Sequence, residues 1–158
     1  MKLTEMISRK AILPNLKATD KKGAIQELVK AIKSVYNPEK FQTKDIVEAV
    51  MEREKLGSTG LGHGVAVPHA RTQGLKTVLG AFGRHPQGIE FNALDGEPVH
   101  LVFLIVSPAS APEQYQRALK CVMESIRQPN FGRFLRNAAT AKEIEETFRE
   151  AEELIKVS

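Results

Sequence analysis

The feature that most constrains the fold is the apolar stretch VHLVFLIV at Val99–Val106. It is rich in β-branched residues and has the length of a strand rather than that of a helix. Its apolar residues form a run instead of alternating with polar ones, which is typical of a strand whose two faces are covered by helices. The stretch therefore predicts the central strand of an α/β fold.

Apolar residues at helical spacing predict helices on both sides of this strand along the chain. One helix begins after Thr19-Asp20 and ends before Asn37-Pro38, and a second begins at Thr43. Two later helices are marked by capping boxes, in which a hydroxyl and a carboxylate three residues apart satisfy the first N–H groups. These boxes are Ser110-x-x-Glu113, with Pro112 in the first turn, and Thr140-x-x-Glu143.

Shorter strands are predicted at Val65–Val67 and Val78–Phe82. Residues 84–98 are predicted to form a loop, because Pro86–Gly88 and Asp95-Gly96 are turn signals. Helices before, between and after the strands indicate an α/β sandwich around a small mixed sheet.

The composition fits one domain, since 158 residues are enough to bury a substantial core. The formal net charge is +4, but the basic residues are dispersed and no basic run is longer than Lys21–Lys22. The chain has no Trp and only 6% aromatic residues, so it lacks the stacking platforms that bind single-stranded nucleic acids. We therefore expect no nucleic-acid partner.

Cys121 is the only cysteine, so an intrachain disulfide is impossible, which suits a reducing compartment. The N-terminal residues contain no continuous apolar segment of the kind found in signal peptides. The longest apolar run, Leu101–Val106, falls far short of the ~20 residues that a membrane-spanning helix needs. We expect a cytoplasmic protein that does not insert into a membrane.

The candidate functional segment is GSTGLGHGVAVPHAR at Gly57–Arg71. A glycine-rich loop leads into a short predicted strand, Pro68 ends that strand, and His69 follows at once. Loops supported by a rigid scaffold often carry functional residues. We therefore expect His69 to be the working residue, exposed just past the end of the strand.

Several reaction classes do not fit this segment. It lacks the Gly-Lys-Ser/Thr ending of a P-loop and the Gly-x-Ser-x-Gly pattern of a nucleophile elbow. Cys121 lies on the apolar face of a predicted helix, where a thiol is inert. His63 and His69 flank a strand that would aim their rings apart, and the chain has no CxxC or HExxH motif. We expect neither a metal site nor a cofactor.

A phosphoryl site is the remaining interpretation. Arg53 and Arg71 supply positive charge near His69, Ser58 and Thr59 supply hydroxyls, and the N–H groups of a glycine-rich loop can form an anion-binding nest. Neutral imidazole, with an ordinary pKa of about 6.5, is a nucleophile at pH 7. Spacing alone leaves open that His69 is a surface histidine and that Arg53 is a solvated helix residue.

The run REKLGSTGLGHGVAVPHAR at Arg53–Arg71 resembles the signature of the enzyme IIA domains of the fructose/mannitol class. These domains belong to the phosphoenolpyruvate-dependent sugar phosphotransferase system. The segment IEFNALDGEPVHLVFLIVSP resembles the family's central strand and the residues before it. The resemblance implies a single IIA type-2 domain over residues 1–158 and a mixed sheet of about five strands sandwiched between α-helices. Because no IIB, IIC or carrier domain accompanies it, the chain is most similar to the nitrogen-regulatory branch.

The resemblance also implies roles for residues of the segment. His69 would accept a phosphoryl group from a histidine phosphocarrier of the HPr or NPr type, and Arg53 would neutralise phosphate charge. The loop lining the site would contain Ser58, Thr59 and Gly60. The phosphorylated domain would either pass the group to a IIB subunit for sugar uptake or control a regulatory target. A binding module that is never phosphorylated is a further alternative.

The chain departs from the family at a second histidine, which commonly lies near the start of the helix after the central strand. Gln114, Tyr115 or Gln116 occupies the matching place. His63 stands where many members carry asparagine, and it could act as an auxiliary group, as could Arg71. The missing ring puts efficient transfer to a IIB subunit in doubt and favours a regulatory role.

Overall fold

A computed structural model describes residues 1–157 of the chain. The predicted central strand is β6 (Val99–Pro108), which pairs along both of its edges. On one edge lies β5 (Leu79–Ile89), which is antiparallel to β6. On the other edge β3 (Val65–Ala66) and β4 (His69–Thr72) lie end to end and both run parallel to β6.

Two short strands complete the sheet. β1 (Ile12–Leu13) pairs with β5 in parallel, and β2 (Gly60–Gly62) pairs with β3 in an antiparallel hairpin. The order across the sheet is β1-β5-β6-β3-β2, with β4 beside β6 beyond the end of β3. This mixed sheet between helices confirms the predicted fold class.

Helices flank the sheet on both faces. None of those formed within residues 1–157 combines the length and the apolar character that crossing a membrane requires. Besides a short 3-10 helix at Arg9–Ala11, the helices are α1 (Leu3–Met6), α2 (Lys21–Tyr36), α3 (Thr43–Lys55), α4 (Pro112–Ile126), α5 (Phe131–Asn137) and α6 (Ala141–Val157).

The side chains of β6 alternate between two cores, because successive residues of a strand point to opposite faces. Phe103 and Ile105 enter the core that α4, α5 and α6 cover. Leu104 and Val106 enter the core that α2 and α3 cover. All four side chains are fully buried, so the prediction of a strand covered on both faces is confirmed.

The prediction of a loop over residues 84–98 is wrong in its first part, because β5 continues to Ile89. Arg84 pairs with Leu101 and Ile89 pairs with Val99, so five steps along β5 (84 to 89) match two along β6 (99 to 101). Such a bulge lets a strand continue past residues that break regular pairing. Gly88 within it has φ +89°, a conformation that favours glycine.

Two of the helix starts agree with the sequence and one does not. Asp20 accepts a hydrogen bond from Gly23 N–H (2.8 Å), and Thr140 Oγ1 accepts one from Glu143 N–H (3.2 Å). The capping box predicted at Ser110 is absent, because α4 begins one residue later, with Ala111 at the N-cap and no side-chain cap bond. Pro112 then takes the first helical position, where its fixed φ suits the helix and its missing N–H is not needed.

Candidate functional site

His69 opens β4, where it pairs with Ile105 of the central strand. Pro68 separates β3 from β4, and its carbonyl accepts a hydrogen bond from Ile105 N–H (3.1 Å). Proline has no N–H to offer the ladder, so the strand is interrupted between β3 and β4. Residues paired in a parallel ladder share a face, which places the imidazole on the side of the sheet that α4 covers.

The imidazole of His69 is held in one tautomer by a backbone carbonyl. Its Nδ1 lies 2.8 Å from the carbonyl oxygen of Val67. Because a carbonyl only accepts hydrogen bonds, Nδ1 carries the hydrogen and Nε2 keeps its lone pair in the neutral ring. In this tautomer Nε2 is the ring nitrogen that could act as a nucleophile.

His69 is only 8% exposed, which differs from the expectation of an exposed ring. Burial lowers the pKa of His69 below the ordinary 6.5, and the charges of Arg53 and Arg71 lower it further. The hydrogen bond to Val67 and the charge of Glu54 oppose this shift without cancelling it. The ring is therefore neutral at pH 7, as a nucleophile must be.

Tyr115 in the first turn of α4 covers this imidazole. The two ring centroids are 5.3 Å apart and the ring planes are tilted by 49°. The guanidinium carbon of Arg71 lies 5.2 Å from the centroid of the same tyrosine ring, within the range of a cation–π interaction. Of the three residues that the sequence left open as the match to the missing histidine, Tyr115 is the one that the structure places against His69.

Arg53 lies in the last turn of α3, where its Nη1 donates a hydrogen bond to the Gly57 carbonyl (2.7 Å). This bond turns the guanidinium back towards the glycine-rich loop. Since its charge lowers the pKa of His69, the guanidinium acts on the imidazole electrostatically. The positive charge that disfavours imidazolium would also attract a negatively charged phosphoryl group on the ring.

The loop residues Ser58, Thr59 and Gly60 are brought to this region, but their predicted role as an anion-binding nest is wrong for two of the amides. Thr59 N–H donates to Glu54 Oε1 (3.3 Å), and Gly60 N–H donates to Ser58 Oγ (3.0 Å). Ser58 Oγ in turn donates to the carbonyl of Phe91 (2.5 Å). The loop is thus braced by its own side chains, and these amides are not free to hold a phosphate.

Glu54 is a residue of this region that the sequence did not reveal. Its carboxylate accepts hydrogen bonds from the hydroxyl of Thr59 and from Lys21 Nζ (2.9 Å), and its side chain is only 3% exposed. The residue joins α2, α3 and the loop. Nothing in the sequence distinguishes it from Glu52, two residues earlier in α3, since pairing with Lys21 depends on how the helices pack.

Ser107 was also missed. It pairs with Arg71 on the central strand, two residues beyond the partner of His69, and strand alternation places it on the same face as that histidine. Its hydroxyl is buried and is the one buried side-chain polar atom in residues 1–157 without a hydrogen-bond partner. An unpaired buried hydroxyl carries a desolvation cost that a phosphoryl oxygen nearby would relieve.

The structure does not bring His63 to His69. His63 sits in the turn between β2 and β3, with φ +57°, and its N–H donates to Asp95 Oδ2 (3.0 Å). Val65 pairs with Leu101 and His69 with Ile105, so four residues of strand, about 13 Å at 3.3 Å per residue, separate the two ends. The auxiliary role considered for His63 is therefore wrong on geometric grounds.

The remaining titratable clusters do not suggest a metal centre. Within residues 1–157 no group of three or more histidine, cysteine or acidic side chains is arranged to hold a metal ion. Cys121 is buried, and burial raises the pKa of its thiol to about 11. His85 uses both ring nitrogens, with Nε2 2.9 Å from the Ala18 carbonyl and Nδ1 accepting from Gly88 N–H (2.9 Å).

Comparison with known proteins is consistent with this site. Residues 5–151 match the family described as "Phosphoenolpyruvate-dependent sugar phosphotransferase system, EIIA 2". The chain is 37% identical over 145 residues to the nitrogen regulatory protein of Bradyrhizobium diazoefficiens, covering 91% of this chain and 92% of that protein. It is 35% identical over 119 residues to the fructose-specific EIIABC component of Bacillus subtilis, covering 75% of this chain but 18% of that protein.

A solved structure shows the same relationship. The nitrogen regulatory protein IIA-Ntr from Neisseria meningitidis superposes with a TM-score of 0.83 at 30% identity, covering 92% of this chain and 98% of that one.

Proposed function

Because the chain belongs to the EIIA 2 family of the phosphoenolpyruvate-dependent sugar phosphotransferase system, we propose that it is a phosphohistidine carrier whose acceptor is His69. One observation carries this proposal: the Val67 carbonyl holds the hydrogen on Nδ1 and leaves the lone pair on Nε2 of a neutral ring. The donor is a histidine phosphocarrier of the HPr or NPr type. We take residues 1–158 to form one such domain, acting in the cytoplasm.

The transfer needs no separate acid or base, because no proton moves in the step. The Nε2 lone pair of His69 attacks the phosphorus of the donor's phosphohistidine, a P–N bond forms to Nε2, and the donor's P–N bond breaks. The donor imidazole, which carries a hydrogen on its other ring nitrogen, keeps the electron pair of that bond and becomes neutral. The ring of His69 gains positive charge while its Nδ1–H remains bonded to the Val67 carbonyl, which stabilises it. Catalysis is then positioning and charge neutralisation.

The arginines supply the charge neutralisation. Arg53 and Arg71 are the basic side chains that act on the pKa of His69, and both would attract a dianionic phosphoryl group on Nε2. Tyr115 holds the guanidinium of Arg71 on the His69 side of the sheet through the cation–π contact. Ser107, with its unpaired hydroxyl on the same face, offers a further donor.

An apolar surface beside the loop supports docking of partner proteins. Leu56 and Leu94 are 86% and 85% exposed, and Leu61 is also exposed. Leu94 N–H donates to the Gly60 carbonyl (3.4 Å), so Leu61 and Leu94 border the same loop. Exposed apolar patches of this kind mark protein contact sites.

A role in nitrogen or metabolic regulation is favoured over sugar uptake. The similarity to a nitrogen regulatory protein extends over nearly the full length of both chains, whereas the fructose component is matched over a small part of its length. Tyr115 contacts His69 where the family's second histidine is expected, so a second imidazole is missing from onward transfer. A phosphoryl group adds a charge of about −1.5 to −2, enough to alter docking of a target.

The test is phosphorylation by a purified relay. Incubation with phosphoenolpyruvate, enzyme I and a carrier of the HPr or NPr type is expected to add one acid-labile phosphate to the wild type and none to His69→Ala. His63→Ala serves as the matched control and is expected to be labelled fully, since the turn of the β2–β3 hairpin lies far from the acceptor. Equal labelling of wild type and His69→Ala would reject the assignment and leave the non-phosphorylated binding module.

Transfer to a IIB subunit is the alternative function, favoured by the similarity to the fructose component. The phosphorylated protein is expected to discharge slowly to IIB subunits and to bind a regulatory target differently from the unmodified form. Rapid discharge to a IIB subunit, together with equal target binding in both states, would establish the transport role instead.

A further inference from the structure

A cleft opens at the end of the sheet away from His69. Its volume is about 540 Å³, which lies in the range of small-molecule sites. The cleft lies between the β2–β3 turn, the C-terminal end of α4 and the helix α5. Its lining includes Val65, four residues of β6 register away from His69, so the cleft is separate from the phosphoryl site.

The walls of this cleft are positively charged. Arg133 and Arg136 of α5 line it, and among the described residues no acidic one does. Neither arginine forms an ion pair within residues 1–157. Asp95 is the carboxylate near its rim, and it accepts hydrogen bonds from the backbone N–H groups of His63 and Glu97 (both 3.0 Å) instead of pairing with an arginine.

A third arginine reinforces this charge. Arg84 Nε donates a hydrogen bond to the carbonyl of Arg136 (3.2 Å), which brings another guanidinium to the C-terminal part of α5. Arg133 and Arg136 are exposed and have no ion-pair partner among the described residues, so an anion in the cleft would be attracted by their charge. Guanidinium groups bind phosphate and carboxylate oxygens through paired, charge-assisted hydrogen bonds.

The other lining groups limit the kind of anion. Gln128, Asn130 and Asn137 offer side-chain amides that both donate and accept hydrogen bonds, as hydroxyl groups of a ligand require. Phe131 and Val65 are buried and provide an apolar floor. The combination of guanidinium groups, amides and an apolar floor suits a small organic anion with hydroxyl groups, and a phosphate monoester above all.

Two glycines lie in or beside the cleft. Gly132 lines it, and a Cβ at this position would meet no atom within 4 Å. Gly64 adopts φ +78° in the β2–β3 turn, and a Cβ there would lie 3.9 Å from Arg136 Nη1. The Arg136 side chain therefore reaches from α5 towards the turn, and a larger residue at position 132 would project into free space.

We propose that this cleft binds a small hydroxylated phosphate monoester through Arg133 and Arg136. Binding would place a regulatory ligand beside β3, the strand that precedes His69 and β4 along the same side of β6. This site does not depend on phosphorylation of His69, so its test is independent of the carrier function proposed above.

The test is a titration of the ¹⁵N-labelled full-length protein with glycerol 3-phosphate, with glycerol as the neutral comparison, followed by amide chemical shifts. Saturable shifts are expected at Gly64 and Gly132 with glycerol 3-phosphate, at a dissociation constant of roughly 1 mM or tighter, and none with glycerol. Arg133→Gln and Arg136→Gln should each weaken binding about 10-fold or more, as expected for a lost charge-assisted bond.

Two further variants distinguish a specific binding site from non-specific electrostatic attraction. Gly132→Leu is expected to abolish binding by filling the cleft, whereas Arg117→Gln, which removes the same charge from an exposed position of α4, should leave it unchanged. The proposal is overturned if glycerol 3-phosphate produces no saturable shift up to about 10 mM. It is also overturned if Arg117→Gln weakens binding as much as the two cleft variants, because the attraction would then be non-specific.

Discussion

The ring of Tyr115 lies against the imidazole of His69, with 5.3 Å between the ring centroids and a tilt of 49° between their planes. The same ring lies 5.2 Å from the guanidinium carbon of Arg71. One aromatic side chain thus covers the imidazole and positions a cation beside it. Burial, to which this ring contributes, is the largest cause of the lowered pKa of His69.

Replacing Tyr115 with alanine is expected to raise the pKa of His69 towards its ordinary value, because the imidazole loses part of its shield from water. Phosphoryl acceptance should slow by roughly 2- to 5-fold, the factor that corresponds to losing a cation–π contact with Arg71. Tyr115→Phe keeps the ring and should behave as the wild type. The measurements are an NMR titration of His69 and the phosphorylation rate, and identical titration curves for the alanine variant and the wild type would refute the covering role.

Arg53→Gln is expected to slow phosphorylation of His69 by about 100-fold, the typical effect of removing one preorganised donor from a developing charge. Removing the guanidinium also removes a cause of the lowered pKa of His69, so that pKa should rise. Arg53→Lys retains the charge but loses the fork that also holds the Gly57 carbonyl, and an intermediate rate is expected. An Arg53→Gln variant with the wild-type rate would remove Arg53 from the site.

The lowered pKa of His69 predicts how activity and stability respond to pH. The acceptor should remain neutral and active as pH falls to 6.5, and lose activity only below its own lowered pKa. The neutral buried ring contributes stability that is fully present above the unfolded value of about 6.5 and is lost as pH falls through the folded pKa. Rates and unfolding free energies between pH 5 and 8 provide the check, and a rate that already halves at or above pH 6.5 would contradict it.

Glu54→Ala is expected to destabilise the fold by about 3 kcal/mol, because Lys21 and the hydroxyl of Thr59 lose their buried partner. Glu52→Ala is the matched control on the same helix, since its pair with Lys55 is largely exposed and should contribute nothing measurable. Denaturant unfolding of both variants tests the difference. Equal unfolding midpoints for the two variants would show that the contacts of Glu54 with Lys21 and Thr59 do not stabilise the fold.

Much of the fold was predictable because local patterns and tertiary packing agree. The apolar stretch that became β6 is buried on both faces, and Asp20 caps α2 as its sequence context predicts. The predictions that failed concern residues whose conformation is determined by tertiary packing. Residues 84–89 carry turn signals, yet pairing with β6 and a bulge at Gly88 keep them in a strand.

The candidate site shows the same division. The order of residues pointed to His69 and to a position of Arg53 near the loop, because both lie close to the loop in sequence. Glu54, Tyr115 and Ser107 depend on contacts between distant elements, and nothing in their local sequence distinguishes them from neighbours such as Glu52 or Gln114. The buried state of His69 was missed for the same reason, since Tyr115 comes from a different element.

The central claim is that Nε2 of His69 is the phosphoacceptor atom. The most direct measurement is a long-range ¹H–¹⁵N correlation spectrum of the protein carrying ¹⁵N-labelled histidine, recorded after phosphorylation and assigned with His69→Ala. We predict one phosphohistidine, at position 69, with phosphorus on Nε2 and hydrogen on the Nδ1 that faces the Val67 carbonyl. Phosphorus on Nδ1, or on any of the other histidines, would contradict the account.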